Sequence, residues 1–280
     1  MKGWAAVLLA PPEPEDGPMR SRIPSLLHPV AGRPLIWHSV SSLLLQDNPP
    51  REILVVTPPG LGGDLFVDLP VEVRSVESDF PGDDEPASLD VPEGPIVIMH
   101  AGAGIETVHL GRLLSAQEGE WLGTPSGEAV ALVGGREEVV ELLRSPAPFS
   151  AVEGMFPPDR QLDDTPGIFR VRNRADLARA HRRIRDGLVD SLMSAGVTFL
   201  LPETVMVDVD VRIGRDTMIY PGVTMEGQTT IGEETVVGPG CRIIDSWVGS
   251  GVELKGWNYI AHTSVRNRAI LEPYVRRGFD

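Results

Sequence analysis

Apolar residues recur every six positions through the C-terminal third of the chain: Val207, Ile213, Ile219, Met225, Ile231, Val237 and Ile243. A second series follows four residues after each: Val211, Thr217, Val223, Thr229, Thr235, Cys241 and Trp247, almost all small or β-branched. Glycine comes directly after the first series at Gly214, Gly232 and Gly238. After Ile243 the register slips by one and resumes at Val248, Leu254 and Ile260. A helix needs a period near 3.6, and a sandwich strand alternates with period 2 between irregularly spaced turns. A period of six predicts short strands alternating with Gly-, Pro- and Asp-bearing turns, stacked as a solenoid.

The pattern upstream is different. Leu177, Ile184, Leu188, Leu192 and Ala195 share one helical face, with Asn173 placed to cap the start, Asp176 three residues on, and Gly196 placed to end the helix. Arg179, Arg182, Arg183 and Arg185 are expected on its solvent face. Before it, short apolar runs at Ala5–Leu9, Ile53–Thr57, Val71–Val76, Ile96–Met99 and Val130–Val133 read as strands. Pro34–Leu45 and Thr107–Ala116 read as helices between them. Alternating strands and helices predict a parallel sheet with crossover helices. Glu77–Gly94, rich in acids and prolines, reads as a surface loop.

Charge sharpens this division. The 280 residues carry a net charge of −15, and all of it falls in residues 1–170, which hold 11 Lys+Arg and 26 Asp+Glu; residues 171–280 hold 14 of each. Proline splits 22 to 4 at the same point. We therefore expect an α/β domain over 1–170, a linker helix over 171–197 and a solenoid over 198–280. So acidic a domain repels polyanions, which argues against nucleic acid as a partner. The one cysteine, Cys241, excludes a disulfide scaffold and fits a reducing, cytoplasmic setting. No apolar run is long enough to span a membrane, and the N-terminal run is too short for a signal peptide, so no membrane partner is expected.

The hexapeptides resemble the left-handed parallel β-helix, in which three make one coil; residues 205–275 then give about four coils. Trp4–Ala10 followed by Met19–Leu35 resembles the opening of sugar-phosphate nucleotidyltransferases. Arg172–Ala178, Leu192–Thr198 and Leu271–Arg276 resemble the linker helix and β-helix of the bifunctional N-acetylglucosamine-1-phosphate uridylyltransferase/glucosamine-1-phosphate acetyltransferase. The resemblance implies an α/β, Rossmann-like nucleotidyltransferase domain joined to a left-handed β-helix, in a degenerate and truncated relative. It also implies a homotrimer built through the β-helix.

The residues that carry the family's chemistry are the ones that differ. The family's glycine-rich phosphate loop is replaced by Ala10-Pro11-Pro12-Glu13-Pro14-Glu15-Asp16-Gly17-Pro18-Met19, with prolines in place of backbone donors and carboxylates where phosphate would lie. The family's phosphate-binding lysine stands at Ser25, and its magnesium-holding aspartate at Gly102. Phosphoryl transfer depends on positioning and charge neutralisation, and here loop, cation and metal ligand are lost together. The remnant nucleotide-binding set is Leu9, Ala10, Gly17, Met19, Arg20, Ser25 and Gly102. No catalytic residue and no metal ligand is assigned; His100 and His109 lack the partners of a zinc site. Gly102-Ala103-Gly104 reads as a strand-to-helix turn. The acetyltransferase residues beyond Arg276-Arg277 are absent, and His262 reads as a structural or surface histidine.

Two function classes stay open. One is a non-catalytic relative acting as scaffold, regulator or sugar-nucleotide sensor. It needs no cofactor, and a protein partner is expected at the C-terminal coil. The other is a divergent, magnesium-dependent sugar-1-phosphate uridylyltransferase.

Overall fold

A computed structural model describes residues 3–10, 17–58, 65, 66, 68, 69, 73–77, 91–117, 119–124, 127–144, 161, 162 and 167–278. The expected loop over 78–90, the acidic and proline-rich residues 11–16, and most of 145–166 lie outside the described residues. The chain divides into two compact units, Met1–His28 with Pro34–Leu177, and Pro29–Arg33 with Ala178–Asp280.

The first unit is built on β1 (Ala5–Leu9), α1 (Leu35–Leu44), β4 (Ile53–Thr57) and β5 (Val73–Glu77); the short pair β2 (Pro29–Val30) and β3 (Arg33–Pro34), between β1 and α1, falls in the second unit except for Pro34. These are followed by β6 (Ile96–His100), β7 (Ala103–Ile105), α2 (Thr107–Leu114), β8 (Trp121–Gly123), β9 (Ala129–Gly134), α3 (Arg136–Arg144), β10 (Gln161–Leu162) and β11 (Ile168–Arg170). Seven strands form one sheet in the order β10-β8-β9-β6-β1-β4-β5. β1 runs parallel to β4 and β6, while β9 is antiparallel to β6 and β8. β1, β4, β6 and β9 are buried along their whole length, because helices cover both faces. Strand alternation sends Ala6 and Leu8 to one core with Ile36, Val40, Leu110 and Leu113, and Val7 and Leu9 to the other with Val139, Leu142 and Leu143.

α4 (Arg174–Ser194) begins where Asn173 caps it: the side-chain Oδ1 accepts from the N–H groups of Ala175 and Asp176, each at 2.9 Å. It ends at Gly196, whose φ of +97° lets the Val197 N–H turn back to the Leu192 carbonyl at 3.1 Å. Its packing face differs from the expected one. In the second unit Val189 is buried in the solenoid core, while Leu188 and Leu192 remain half-exposed. Arg185, expected on the solvent face, is buried, and its guanidinium donates to the carbonyls of Pro202 (2.9 Å) and Val205 (3.4 Å).

The rest of the second unit is a parallel β-helix. Its three sheets stack Thr198–Phe199, Met218–Ile219, Val236–Val237, Glu253–Leu254 and Ile270–Leu271; Met206–Val207, Thr224–Glu226, Arg242–Ile244, Tyr259–Ala261 and Arg276–Arg277; and Arg212–Ile213, Thr230–Ile231, Trp247–Val248 and Ser264–Val265. Each N–H of one coil that faces the next donates across to it, as Arg212 does to the Thr229 carbonyl and Gly232 to the Val248 carbonyl. The slip after Ile243 shortens the turn there, and a second slip after Ile260 brings Val265 into register. Asp245 and His262 hold these two shortened turns with φ of +42° and +48°. The slip also corrects the second series: Ser246, not Trp247, takes the inward place, and Trp247 is exposed.

Inside the corners the second series hydrogen-bonds to backbone. Thr217 donates to the Gly232 carbonyl (2.8 Å), Thr235 to Gly249 (2.9 Å) and Asn258 through Nδ2 to Glu272 (2.7 Å). These side chains are buried and satisfied, so they tie coil to coil without an unpaired polar group. On the outside, Trp257 stacks on Tyr274 with ring centroids 5.6 Å apart and lies over Gly240. Tyr259 lies between the guanidinium groups of Arg242 and Arg276.

Gly240 sits at φ +63°, and a Cβ there would come within 2.8 Å of Trp257; Gly222, one coil below at φ +71°, has no neighbour closer than 3.9 Å. Gly222→Ala is expected to lose about 1 kcal/mol to backbone strain alone, and Gly240→Ala about 1 kcal/mol more through the clash. Urea unfolding of the two variants checks the difference.

Candidate functional site

The carboxyl ends of parallel strands are where open α/β sheets bind ligands, and the expected remnant residues fall largely there. Leu9 closes β1 and is buried, and its carbonyl accepts from the Ala101 N–H at 2.9 Å. The Ala10 N–H donates to the Val56 carbonyl at 2.9 Å. Leu9, Ala10, Ala101 and Gly102 are thereby brought side by side. Ser25 opens a single 3-10 turn, Ser25–Leu27, and is buried. Gly17, Met19 and Arg20 form a separate turn: the Arg20 N–H donates to the Gly17 carbonyl (2.9 Å), and the Met19 carbonyl accepts from Arg174 Nε (3.1 Å). Arg20 is exposed, at φ +46°.

Gly102 stands in the turn between β6 and β7, and that turn is held from every side. Its N–H donates to His100 Nδ1 at 3.0 Å, and its carbonyl accepts from the Val171 N–H at 2.9 Å. The Ser39 hydroxyl, fully buried on α1, shares its proton between the carbonyls of Ala101 (2.6 Å) and Ala103 (2.7 Å). Leu26 covers the turn: a Cβ added at Gly102 would lie 3.1 Å from Leu26 Cδ2 and 3.4 Å from the His100 ring. Leu26 itself is buried in one core with Ala10, Ala101 and Ala103. A side chain at 102 would therefore start between Leu26 and the His100 ring, which would have to give by a few tenths of an ångström. At the next glycine, Gly104, the ring of Phe169 on β11 lies over the backbone, so the Gly-Ala-Gly stretch is a packed strand pair and not an open anion cradle.

The electrostatics point the same way. Burial holds the His100 imidazole well below its ordinary value, and the Arg170 guanidinium pushes in the same direction. His100 is thus neutral, with Nδ1 already engaged. Arg170 is itself lowered by burial, against the opposing pull of Glu128. Among the described residues no three His, Cys, Asp or Glu side chains gather as a metal site. Leu26 and Ser39 were not singled out from sequence. Leu26 follows Ser25 directly, and an apolar residue beside a lost lysine was the available signal.

Residues 210–245 match a family of bacterial transferase hexapeptide proteins (six repeats). The chain is 35% identical over 139 residues to the bifunctional protein GlmU of Geobacillus sp. (strain WCH70), covering 49% of this chain and 28% of that protein. It is 37% identical over 115 residues to that of Alkaliphilus oremlandii, covering 41% and 25%. The chain is a relative of the GlmU proteins. The GlmU of Streptomyces avermitilis aligns likewise, 37% identical over 113 residues, covering 39% of this chain and 23% of that one. The matched stretch is about a quarter of each GlmU protein's length. A solved structure from Bacillus anthracis, assigned as a glucose-1-phosphate thymidylyltransferase and holding a sucrose, aligns over 65% of this GlmU-like chain and 96% of its own, at 15% identity and a TM-score of 0.47. At that score it carries no argument.

Two outcomes follow from the Gly102 turn. Gly102→Asp is expected to destabilise the fold by about 1–3 kcal/mol, through overpacking and a desolvated carboxylate. In a Leu26→Ala background the added loss should shrink by at least about 0.5 kcal/mol, which a urea double-mutant cycle reads.

Because His100 is held neutral when folded, the unfolded chain binds the extra proton. Stability is therefore full above the unfolded value near 6.5 and falls as pH drops below it, by up to about 1.4 kcal/mol per pH unit. His181, also lowered by burial, adds to the same slope. His100→Asn keeps an acceptor for the Gly102 N–H and should flatten the stability profile between about pH 5 and 6.5.

Proposed function

We propose that the chain is a non-catalytic relative of the UDP-N-acetylglucosamine-forming uridylyltransferase, working as a scaffold or regulatory partner and not as a transferase. One observation carries this reading: Leu26 Cδ2 lies 3.1 Å from where a Cβ at Gly102 would stand, at the position where the family's resemblance puts a metal-binding aspartate. The buried, neutral His100 beside it supports the same conclusion, since a site for phosphate and magnesium needs charges rather than their exclusion.

The solenoid serves as the assembly surface in this reading, through a homotrimer. Support comes from its outer faces, where Met206, Met218 and Ile270 are exposed. Aliphatic side chains on a sheet's outer surface are the kind that subunit contacts cover. Among the described residues no helix is long and apolar enough to cross a membrane, and a single buried thiol agrees with a reducing compartment.

Thermal unfolding with UTP, UDP-N-acetylglucosamine and N-acetylglucosamine-1-phosphate, each with and without magnesium, tests the reading. A ligand at about 100 times its Kd stabilises by about 2.7 kcal/mol, which moves the midpoint by a few degrees. We expect no magnesium-dependent shift with UTP and no pyrophosphate release. A shift with UDP-N-acetylglucosamine alone assigns a sensor, and no shift with any of the three assigns a scaffold. A magnesium-dependent shift with UTP, or release of pyrophosphate from UTP and N-acetylglucosamine-1-phosphate, overturns the non-catalytic reading. Sedimentation equilibrium tests the trimer separately.

A further inference from the structure

The first coil of the solenoid has a lower edge, and its three sides are covered unequally. On one side Arg185 takes the carbonyls of Pro202 and Val205. At the following corner the Val209 N–H donates to the Ala31 carbonyl at 3.1 Å, and Arg33 pairs with Asp210 at 2.7 Å. The third side is the strand Arg212–Ile213. Its hydrogen bonds to the coil above run from the Arg212 and Gly214 N–H groups, at 2.9 and 2.8 Å. By strand alternation the Ile213 N–H and carbonyl point the other way, and among the described residues no strand pairs with them.

That edge opens onto a groove of about 500 Å³ between the solenoid and α4. Its walls include Leu188 of the helix, Ala195 just past the helix end, and Val207, Val211, Arg212 and Ile213 of the coil. Leu188, Leu192 and Ile213 are only half-buried, so apolar surface from both walls faces the opening. Asp208 lies on the same groove. Its carboxylate accepts the Gly227 N–H at 2.9 Å and has no ion pair among the described residues. Burial raises its proton affinity, the Gly227 hydrogen bond opposes that, Glu226 and Asp210 add to the rise, and His181 opposes it. An open strand edge, an apolar trough and a half-buried carboxylate without an ion pair together describe a seat for backbone, alternate apolar side chains and one cation.

We propose that this groove binds an extended segment of a partner polypeptide, added as a strand along Arg212–Ile213, with apolar side chains at alternate positions and a basic side chain directed at Asp208. The site belongs to the second unit alone and does not depend on the fate of the nucleotide crevice. Backbone pairing supplies the common part of the affinity, and the trough and Asp208 supply the selection.

The test uses the full chain and a library of fluorescent, N-acetylated and C-amidated pentapeptides in which Val, Ile or Leu alternate with Lys, Ala or Glu, read by anisotropy. Lysine-bearing members are expected to bind with Kd below about 1 mM, and Glu in place of Lys to weaken them at least about tenfold. N-methylation of the central peptide amide, which removes a backbone donor, should weaken binding at least about tenfold on the unaltered protein. Ser191→Trp, at an exposed helix position lining the groove, should do the same. Asp208→Asn keeps the acceptor for Gly227 and should abolish the preference for Lys over Glu while the N-methyl effect persists. Should either variant unfold, the N-methyl comparison still decides. The proposal is overturned if no member binds below about 1 mM, or if binding ignores N-methylation. It is also overturned if the groove is filled by a second copy, seen as a dimer that Ser191→Trp dissolves.

Discussion

A solenoid coil has to return above its own starting point, and this closure condition governs the second unit. From Asp216 onward the corners place a residue in the left-handed backbone region, and the straight segments point side chains inward. At one column of corners that residue is Gly222, Gly240, Trp257 and then Tyr274, all with positive φ. The two non-glycine residues accept the strain, roughly 1–2 kcal/mol each, because their rings stack outside the coil. Where a turn is one residue short, Asp245 and His262 take the corner, and the coils shrink from 18 to 17 residues without losing register. The inward threonines and Asn258 follow from the same geometry. A corner leaves carbonyls facing the interior, and a short hydrogen-bonding side chain satisfies them.

The first unit shows a different economy of parts. Its sheet keeps the architecture of a ligand-binding α/β fold, with strand ends converging on one crevice. The crevice floor has been absorbed into the core. Ser39 fixes the turn at Gly102, Leu26 covers it, and Phe169 covers Gly104. Each contact is ordinary core packing, at the point where the resemblance puts the family's aspartate. Scaffold stability and site chemistry rest on different residues, so the fold alone does not fix what this site does.

The solenoid was legible because its repeat writes the same instruction many times. The inward series from Val207 to Ile243, the first slip and the cap at Asn173 were all readable. The second slip at His262 was not, since by then the repeat had too few members to fix a phase. Arg185 was misread because helical periodicity shows which residues share a face but not which face is buried; a guanidinium that caps backbone carbonyls belongs inside. Strands β8, β10 and β11 and helix α3 were missed for a related reason. Their two- and three-residue lengths, or their acid-rich outer faces, give weak periodicity, and their existence depends on partners distant in sequence. Ser25 and Gly102 could be read as standing where the resemblance puts a lysine and an aspartate, whereas the approach of Leu26 to Gly102 could be seen only in three dimensions.

The single cysteine lies within the closed stack. Cys241 is buried beside Asn258, and burial raises its thiol's proton affinity. In that place the sulfur is shielded from solvent reagents as long as the third and fourth coils stay stacked. Its chemistry is therefore a clock on the solenoid's breathing. The rate at which it becomes alkylated counts how often those coils part, in a protein whose folded state offers no other thiol to confuse the reading.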